Sequence, residues 1–380
     1  MPLDTSQTLN EIQTQTKIVF GEGQVDCLGE LAQELGAKRT LVVSDPGIIS
    51  AGHTGRAVES LMATGIEATI FDGVEENPTT KHVESGVAFA KEYAPDLIVG
   101  VGGGSSMDCA KGINFVLSCG GTMHDYHGVG KATGPLLPMI AVPTTAGTGS
   151  EAQSFALISD AETHVKMACG DKRAAFRAAI LDPRLTLTQP VTVTALTGID
   201  AISHAIETYV TKKRNEVSQL LSREAWRLLS HNFPRVIESP DDIEARGGMQ
   251  LGACFAGLAI ENSMLGAAHA LANPITAKYG TPHGQAVGLM LPHVVRHNAQ
   301  DSEIGKMYSD LTEISGDIDL AGHLSRLLEL AGLKTRLSDL AVEENCLPEL
   351  ADGASQQWTG TFNPVPVDAV SLLQIYQAAF

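Results

Sequence analysis

The chain has 380 residues, of which 43% are hydrophobic and 18% are charged, and its 44 acidic against 26 basic residues give a formal net charge of −18. This length predicts two domains, and the composition excludes a disordered or fibrous protein. Because so acidic a surface repels phosphate, the charge argues against nucleic acid or an anionic membrane as a partner, although a local basic pocket can still hold one small anion.

The sequence carries no pattern typical of a targeting segment or of a disulfide framework. Residues 1–17 carry no basic start followed by an apolar run, so we expect no secretory signal. We also expect no transmembrane helix, because no run of about 18 consecutive apolar residues is present. The six cysteines are scattered without a CxxC pair, which indicates reduced thiols and a cytoplasmic protein.

Short β-branched runs alternate with helical patterns in the first half of the chain. Buried parallel strands are predicted at residues 40–45, 68–73, 96–104 and 138–145. Helical patterns lie between the first three of them, at residues 53–65 and 79–94. Repeated strand, helix, strand order predicts a doubly wound α/β parallel sheet, which we place in residues 1–184.

From about Val191 onward the pattern becomes helical, and we find no convincing strand. Helical spacing covers residues 195–210, 216–233, 245–274 and 319–333. We therefore predict an all-α domain in residues 185–380. No low-complexity linker or internal repeat marks the join, so we expect the two domains to pack closely across a cleft.

The strongest motif of the first half is VGVGGGSSMDCAKGI, in which a strand runs into glycines that open a helix. Glycine lets a ligand approach the backbone, and the free amides of a helix N-terminus attract phosphate. The candidate phosphate-binding residues are Gly102, Gly103, Gly104, Ser105 and Ser106. Read as G-x-G-x-x-G, the motif fails at Ser105 and lacks a convincing acid about 20 residues later, so an ordinary glycine-rich turn is the alternative.

Other polar features of the first half agree with a nucleotide. Asp45 follows a predicted strand, where a carboxylate accepts hydrogen bonds from a ribose and favours NAD; an N-cap before Pro46 explains it equally well. The segment VPTTAGTGSE suits a phosphate-bearing ligand or is a plain polar connection, and its hydroxyls belong to Thr144, Thr145, Thr148 and Ser150. Lys111 and Lys166 could supply positive charge nearby, although most lysines simply face solvent.

The helical half contains a sharper pattern. Asp200 and His204 are four residues apart, so on a helix they share an otherwise apolar face, which is unfavourable unless they are paired or ligated. His269 and His283 lie in similar surroundings of small apolar residues. One carboxylate and three imidazoles form a plausible site for Fe²⁺ or Zn²⁺. An i,i+4 ion pair and satisfied core histidines are the alternatives.

Two further histidine pairs compete with this set. His293 and His297 are also four apart but lack an accompanying carboxylate, so we rank them second, as helix-surface or supporting groups. His124 and His127 lie in a polar segment that we place near the domain cleft, and they are either surface groups or groups that support the site.

Several segments together resemble the iron-containing (group III) alcohol dehydrogenases, whose fold is dehydroquinate synthase-like. They are GGGSSMDCAK, AVPTTAGTGSE, TGIDAISHAIE, HALANP, GTPHG and FNPVPV. The resemblance covers essentially the whole chain in the right order. It implies an N-terminal α/β dinucleotide domain and a C-terminal helical domain with the metal in the cleft. The implied metal ligands, catalytic through the metal, are Asp200, His204, His269 and His283.

The resemblance also implies the cofactor contacts and exposes two departures. Besides Asp45 and the loop of Gly102 to Ser106, the implied contacts are Asn77, Thr144, Thr145, Thr148 and Lys166. Many members have a histidine assigned to proton transfer where this chain has Asn273. Asparagine does not titrate, so a relay needs water, cofactor hydroxyls or another histidine. Many members have phenylalanine near the substrate where this chain has Ile260, which weakens any transfer of a particular specificity.

The expected activity is reversible hydride transfer between NAD(H) and a small primary alcohol or aldehyde, with Fe²⁺ or Zn²⁺ acting as a Lewis acid on the substrate oxygen. Alternatives within the family are hydroxyacid or other functionalised-alcohol dehydrogenases and transhydrogenases. A dehydroquinate synthase-like lyase needs more basic residues, and a non-catalytic dinucleotide-binding protein has no need of four metal ligands. We expect a homodimer or a higher homo-oligomer.

Overall fold

A computed structural model describes residues 16–163 and 165–380. The expectation about a secretory signal in residues 1–17 therefore falls almost wholly outside the described residues. The strands are β1 Lys17–Phe20, β2 Arg39–Val43, β3 Glu67–Phe71, β4 Leu97–Gly102, β5 Gly128–Val129, β6 Met139–Pro143, β7 Phe155–Ser159, β8 Lys166–Gly170 and β9 Ala178–Leu181. Among the described residues, every strand precedes Asp182.

Helices flank the strands and then make up the second half. In the first half they are α1 Leu28–Glu34, α2 Pro46–Ser50, α3 His53–Ala63, α4 Thr80–Tyr93 and α5 Gly104–Cys119. In the second half they are α6 Val191–Val210, α7 Glu216–Glu238, α8 Ile243–Glu261, α9 Ala267–Tyr279, α10 His283–Asn298, α11 Ser302–Ser315, α12 Leu320–Leu330, α13 Leu347–Ser355 and α14 Ala369–Ala379. No described helix is both long enough and apolar enough to cross a membrane.

Six parallel strands form one sheet in the order β1-β9-β6-β4-β2-β3, which confirms the doubly wound prediction. Leu41 and Val43 pack on one face of this sheet and Val42 packs on the other. This alternation follows from the two-residue period of a strand, and burial of both faces explains the continuous apolar runs in the sequence.

Five of the nine strands in the described residues were not predicted from the sequence. β1 and β9 extend the parallel sheet at one side, and β9 contains only the small and apolar residues AAIL. β5, β7 and β8 form a separate three-stranded sheet. These strands are only two to five residues long, and such short segments form because neighbouring strands and helices cover them rather than through their own propensity.

The helical half surrounds its own apolar core, in which Trp226 is fully buried and its indole donates a 2.8 Å hydrogen bond to the Leu311 carbonyl. The predicted helical stretch 245–274 is interrupted between Glu261 and Ala267, which separates α8 from α9. This break allows α9 to begin close to α6, where its first backbone amides contact Glu207 and Asn363.

A glycine contact joins the two halves. The loop between β6 and the next strand lies against α6 and α8, and a Cβ on Gly257 would lie 2.5 Å from the Gly149 carbonyl oxygen. Gly149 itself has φ +62°, a left-handed conformation that favours glycine. Gln250 of α8 also donates a 3.0 Å hydrogen bond to the Pro143 carbonyl at the end of β6. The two halves are therefore in backbone contact at this loop.

Candidate metal centre and nucleotide cradle

One stripe of α6 presents three ionisable side chains to the interior. Asp200, His204 and Glu207 occupy positions i, i+4 and i+7 and are all buried. Two helical turns bring such positions onto one face. The rest of the helix is apolar or small, so these three groups have to find their partners among one another or on neighbouring helices.

Helices α9 and α10 bring two more imidazoles to this stripe. His269 lies in the first turn of α9 and His283 is the first residue of α10. Asp200 Oδ1 lies 3.4 Å from His204 Nε2, 3.7 Å from His269 Nε2 and 3.8 Å from His283 Nε2. The His204 ring stacks on that of His269, with centroids 5.0 Å apart. The four residues implied by the resemblance thus lie around one point.

The donor atoms fit a divalent cation. Asp200 Oδ1 and His269 Nε2 are buried and have no hydrogen-bond partner among the described residues, which is unfavourable for a polar atom unless it has another ligand. The ligand atoms of Asp200, His269 and His283 all lie within 4.8 Å of one another. Ligand atoms about 2.1 Å from one ion in a tetrahedral arrangement lie roughly 3.5 Å apart, close to the distances found here.

Glu207 supports this cluster, and the sequence analysis did not select it. Glu207 Oε2 accepts a 2.6 Å hydrogen bond from His269 Nδ1, and Oε1 accepts one of 2.7 Å from the Ala268 amide. A carboxylate behind a ligating imidazole fixes the ring and its tautomer, which leaves Nε2 free to coordinate. The signal was present in the sequence, since Glu207 follows His204 by three residues on a helix.

The electrostatics of the cluster favour a positive charge at its centre. Burial by itself raises the pKa of Asp200, but the three imidazoles outweigh it and hold that pKa well below its ordinary value. Burial lowers the pKa of His204, and it lowers that of His283 to about 3. At His269 the burial effect is overcome by Glu207 and Asp200, which raise its pKa to about 9. The carboxylates of Asp200 and Glu207 therefore stabilise a positive charge that lies between them.

The end of β4 and the start of α5 form a cradle open to a ligand. Gly102 has φ +146°, and a Cβ there would lie 2.4 Å from Ser106 Oγ. Helix α5 begins at Gly104, and no side chain caps its first turn, so its amides face outward. Gly102, Gly103, Gly104, Ser105 and Ser106 thus form the strand-to-helix turn that the sequence predicted.

Asp45 and Asn77 lie beside this turn. Asp45 Oδ1 accepts a 3.0 Å hydrogen bond from the Ile48 amide, so the residue is an N-cap, and its Oδ2 lies 3.5 Å from Ser106 Oγ. One carboxylate oxygen of Asp45 therefore caps α2 and the other lies beside Ser106, while the contact of Asp45 with a ribose stays a prediction. Asn77 has φ +54°, and its backbone N–H donates a 3.3 Å hydrogen bond to Ser105 Oγ.

The loop after β6 forms the other wall. The Thr144 amide donates a 2.9 Å hydrogen bond to the Gly102 carbonyl, and the buried Thr144 Oγ1 has no partner in the part of the chain that the structure describes. Thr145 packs beside Gly103, and a Cβ on Gly104 would lie 2.7 Å from Thr148 Oγ1. The hydroxyls of this loop thus border the cradle, whereas its glycines form the contact with α6 and α8.

The two lysines considered for this region lie in different environments. Lys166 is exposed at the start of β8, and its charge contributes, after burial and His269, to the low pKa of His283. Lys166 therefore lies toward the metal cluster. Lys111 is fully buried with its ammonium bonded inside the protein, so the expectation that it supplies charge to a phosphate is wrong.

Comparisons with known proteins agree with this geometry. Residues 15–183 match the family model described as iron-containing alcohol dehydrogenase, and residues 194–380 match its C-terminal model. A 1,3-propanediol dehydrogenase from Klebsiella pneumoniae is 34% identical over 95% of this chain and 96% of its own. The chain belongs to the iron-containing alcohol dehydrogenase family. It is a metal-dependent alcohol oxidoreductase, and this family depends on iron and NAD.

Solved structures show the same family fold. The crystal structure of a 1,3-propanediol oxidoreductase is 34% identical and has a TM-score of 0.92, over 96% of this chain and 98% of its own. A sulfoacetaldehyde reductase from Bifidobacterium kashiwanohense, solved in complex with NAD⁺, is 26% identical with a TM-score of 0.89, over 98% and 99% of the two chains.

The two residues that the resemblance marked as departures, Ile260 and Asn273, lie on α8 and α9 of this iron-containing alcohol dehydrogenase. Ile260 is buried in the last turn of α8. Asn273 follows His269 by one turn of α9, and its Nδ2 donates a 2.9 Å hydrogen bond to Gln357 Oε1. Asn273 is thus held by an amide and does not carry a titrating group.

The competing histidines of this alcohol dehydrogenase lie apart from the cluster. His124 Nε2 is 2.6 Å from Asp160 Oδ2, and His127 is exposed. His293 and His297 are half-buried on α10, and burial lowers the pKa of both. None of these four belongs to the group of ligand atoms around Asp200.

Proposed function

We propose that this chain binds iron through Asp200, His204, His269 and His283 and transfers a hydride between NAD(H) and a small primary alcohol or aldehyde. The observation that carries the proposal is the approach of three imidazole Nε2 atoms to within 3.4–3.8 Å of Asp200 Oδ1. Bound iron supplies a Lewis acid for the substrate oxygen, and bound NAD supplies the hydride acceptor.

The side chains prepare this site without entering covalent chemistry. Asp200 stays charged, and His204 and His283 stay neutral, so their nitrogen lone pairs are available. Glu207 fixes the ring of His269. Asp200, His204 and His269 are buried among apolar residues of α6 and α9, which strengthens the electrostatic interactions of the site.

We assign the nucleotide to the cradle beside this cluster. The pyrophosphate faces the amides of Gly102 to Ser106, with Asn77, Thr144, Thr145, Thr148 and Lys166 as further contacts. Asp45 Oδ2 accepts from the ribose, which favours NAD over its 2′-phosphorylated form. Because Asn273 does not titrate, a proton relay from the substrate would need water, cofactor hydroxyls or another histidine.

The second candidate function is the same hydride transfer on functionalised alcohols or aldehydes. The NAD⁺-complexed neighbour is a sulfoacetaldehyde reductase, which favours including functionalised aldehydes and hydroxyacids beside simple alkanols and diols. We place Ile260 and Asn273 near the substrate. A dehydroquinate synthase-like lyase is the less favoured alternative, and net reduction of NAD by a simple alcohol distinguishes it, since the lyase reduces NAD only transiently.

The test is a panel of aldehydes with NADH, and of alcohols with NAD, on protein reconstituted with Fe²⁺ or with Zn²⁺. His269→Ala should lower bound metal and turnover together, because it removes one ligand. Full activity of metal-free protein would overturn the proposal. The Zn²⁺ arm also decides whether zinc replaces iron, which this set of nitrogen and oxygen ligands permits.

The remaining assignments are also proposals. We divide the chain into a nucleotide domain, residues 1–184, and a metal domain, residues 185–380. We assign it to the cytoplasm, which the six free cysteines support. We propose a homodimer or a higher homo-oligomer, for which light scattering of the iron-loaded protein is the measurement.

A further inference from the structure

A polar stripe runs along the helix that opens the nucleotide cradle. Gly104, Asp108 and Lys111 occupy positions i, i+4 and i+7 of α5, so they share one face. This face lies against the loop of residues 144–155. Gly104 meets Thr148, Asp108 meets Ser150, and Lys111 meets both Ser150 and Phe155.

Lys111 is fully buried, and all its donors are occupied by this loop. Its Nζ donates to the Ser150 carbonyl at 2.7 Å, to Ser150 Oγ at 2.8 Å and to the Phe155 carbonyl at 2.7 Å. An ammonium has three hydrogens, so none remains for a phosphate. Asp108 offsets the buried charge from 3.8 Å. Lys111 therefore acts within the protein and does not contact a ligand.

The contacts continue from Lys111 to the cradle wall. Ser150 Oγ donates to Asp108 Oδ1 at 2.6 Å, so this hydroxyl links the ammonium to the carboxylate. The Ser150 amide donates to Thr148 Oγ1 at 3.2 Å. Thr148 is exposed and borders Gly104, the first residue of α5. A buried cation thus fixes the loop segment that ends at the mouth of the cradle.

We propose that Lys111 is a positioning residue for nucleotide binding, acting through Ser150 to hold Thr148 against the start of α5. The inference rests on the proposed function, because it assigns a task to the same cradle. Removal of the ammonium leaves two loop carbonyls without their donor, and the loop then loses its fixed position beside Gly104. Nucleotide affinity falls, whereas the metal ligands on α6, α9 and α10 keep their places.

The test uses the iron-loaded full chain with Lys111→Met, Ser150→Ala and, as a matched control, Lys91→Met at an exposed lysine on α4. The measurements are the Kd of NADH by fluorescence, kcat and KM for NAD, iron content, and the thermal midpoint. We expect Lys111→Met to weaken NADH binding by about tenfold or more, with Ser150→Ala weaker in effect but in the same direction. In both variants KM for NAD should change more than kcat, with iron content retained.

Ser150→Ala should still fold, since Lys111 retains both carbonyl acceptors in that variant, so the inference can be tested even if Lys111→Met does not fold. An unchanged Kd of NADH in a folded Ser150→Ala protein, or a loss of kcat without a change in Kd or KM, overturns the inference. Weakened binding in Lys111→Met alone, by a factor that shrinks as salt is raised, also overturns it, because salt screens a direct contact between the ammonium and a phosphate. If the unmodified protein fails to bind NADH, the proposed function itself fails, and this outcome is distinct from the others.

Discussion

Glu207 and His269 form a short side-chain contact at the metal centre, with 2.6 Å between Oε2 and Nδ1. The pair joins α6 to the first turn of α9, and the second oxygen of Glu207 binds the Ala268 amide. One carboxylate thus both orients an imidazole and anchors the helix that carries it.

Glu207→Gln should weaken Fe²⁺ binding by roughly 10- to 100-fold, the usual effect of removing a carboxylate behind a metal-ligating histidine. An amide offers one acceptor oxygen where the carboxylate offers two, so it cannot satisfy both His269 and Ala268. Titration of metal-free protein with Fe²⁺ measures the change. Glu216→Gln, at an exposed position of α7, is the control, and equal affinity in the two variants would contradict the role.

Gly257→Ala should destabilise the protein by about 1–3 kcal/mol, because the new methyl group meets the Gly149 carbonyl at 2.5 Å. Denaturant unfolding followed by circular dichroism measures this loss. Gly55→Ala is the matched control, since a Cβ there meets nothing within 4 Å, and it should be neutral or stabilising. Equal midpoints for the two variants would show that the loop moves freely away from α8.

The free energy of unfolding should fall as pH rises from 4.5 to about 7, because the buried carboxyl of Glu151 loses its proton in that range. Burial raises the pKa of Glu151 from 4.5 to about 7. The folded state therefore holds this proton more tightly than the unfolded state, and deprotonation above pH 4.5 destabilises the fold by an amount that levels off above pH 7 at about 3 kcal/mol.

Glu151→Gln removes this titration. The variant should gain stability over the unmodified protein at pH 8 but not at pH 4.5, measured by denaturant midpoints at both pH values. Glu329→Gln, on the exposed face of α12, should show no such difference. A gain of the same size at both pH values would argue against the titration of Glu151.

Asp45→Asn should raise the use of NADP relative to NAD by about tenfold, because it removes a negative charge that repels the 2′-phosphate. Asparagine still accepts from the Ile48 amide, so the cap of α2 is retained. The ratio of kcat/KM for the two cofactors is the measurement. An unchanged ratio would leave Asp45 as a helix cap only.

The main strands and helices could be predicted from local pattern, because buried parallel strands and amphipathic helices each leave a periodic signal. β2, β3, β4 and β6 lie where the sequence indicated. β9 could not be recognised, since its segment AAIL gains strand structure only between β1 and β6. The same holds for the small sheet of β5, β7 and β8.

What the sequence determined by itself was the set of chemical groups: a net charge of −18, a glycine turn, and one acid with three histidines in apolar surroundings. Only the tertiary structure decided their partners. It brought His269 and His283 to Asp200, placed Glu207 behind His269, and turned Lys111 inward to the loop. The physical reason is that helix spacing fixes neighbours within one element, whereas contacts between elements depend on the packing of the whole core.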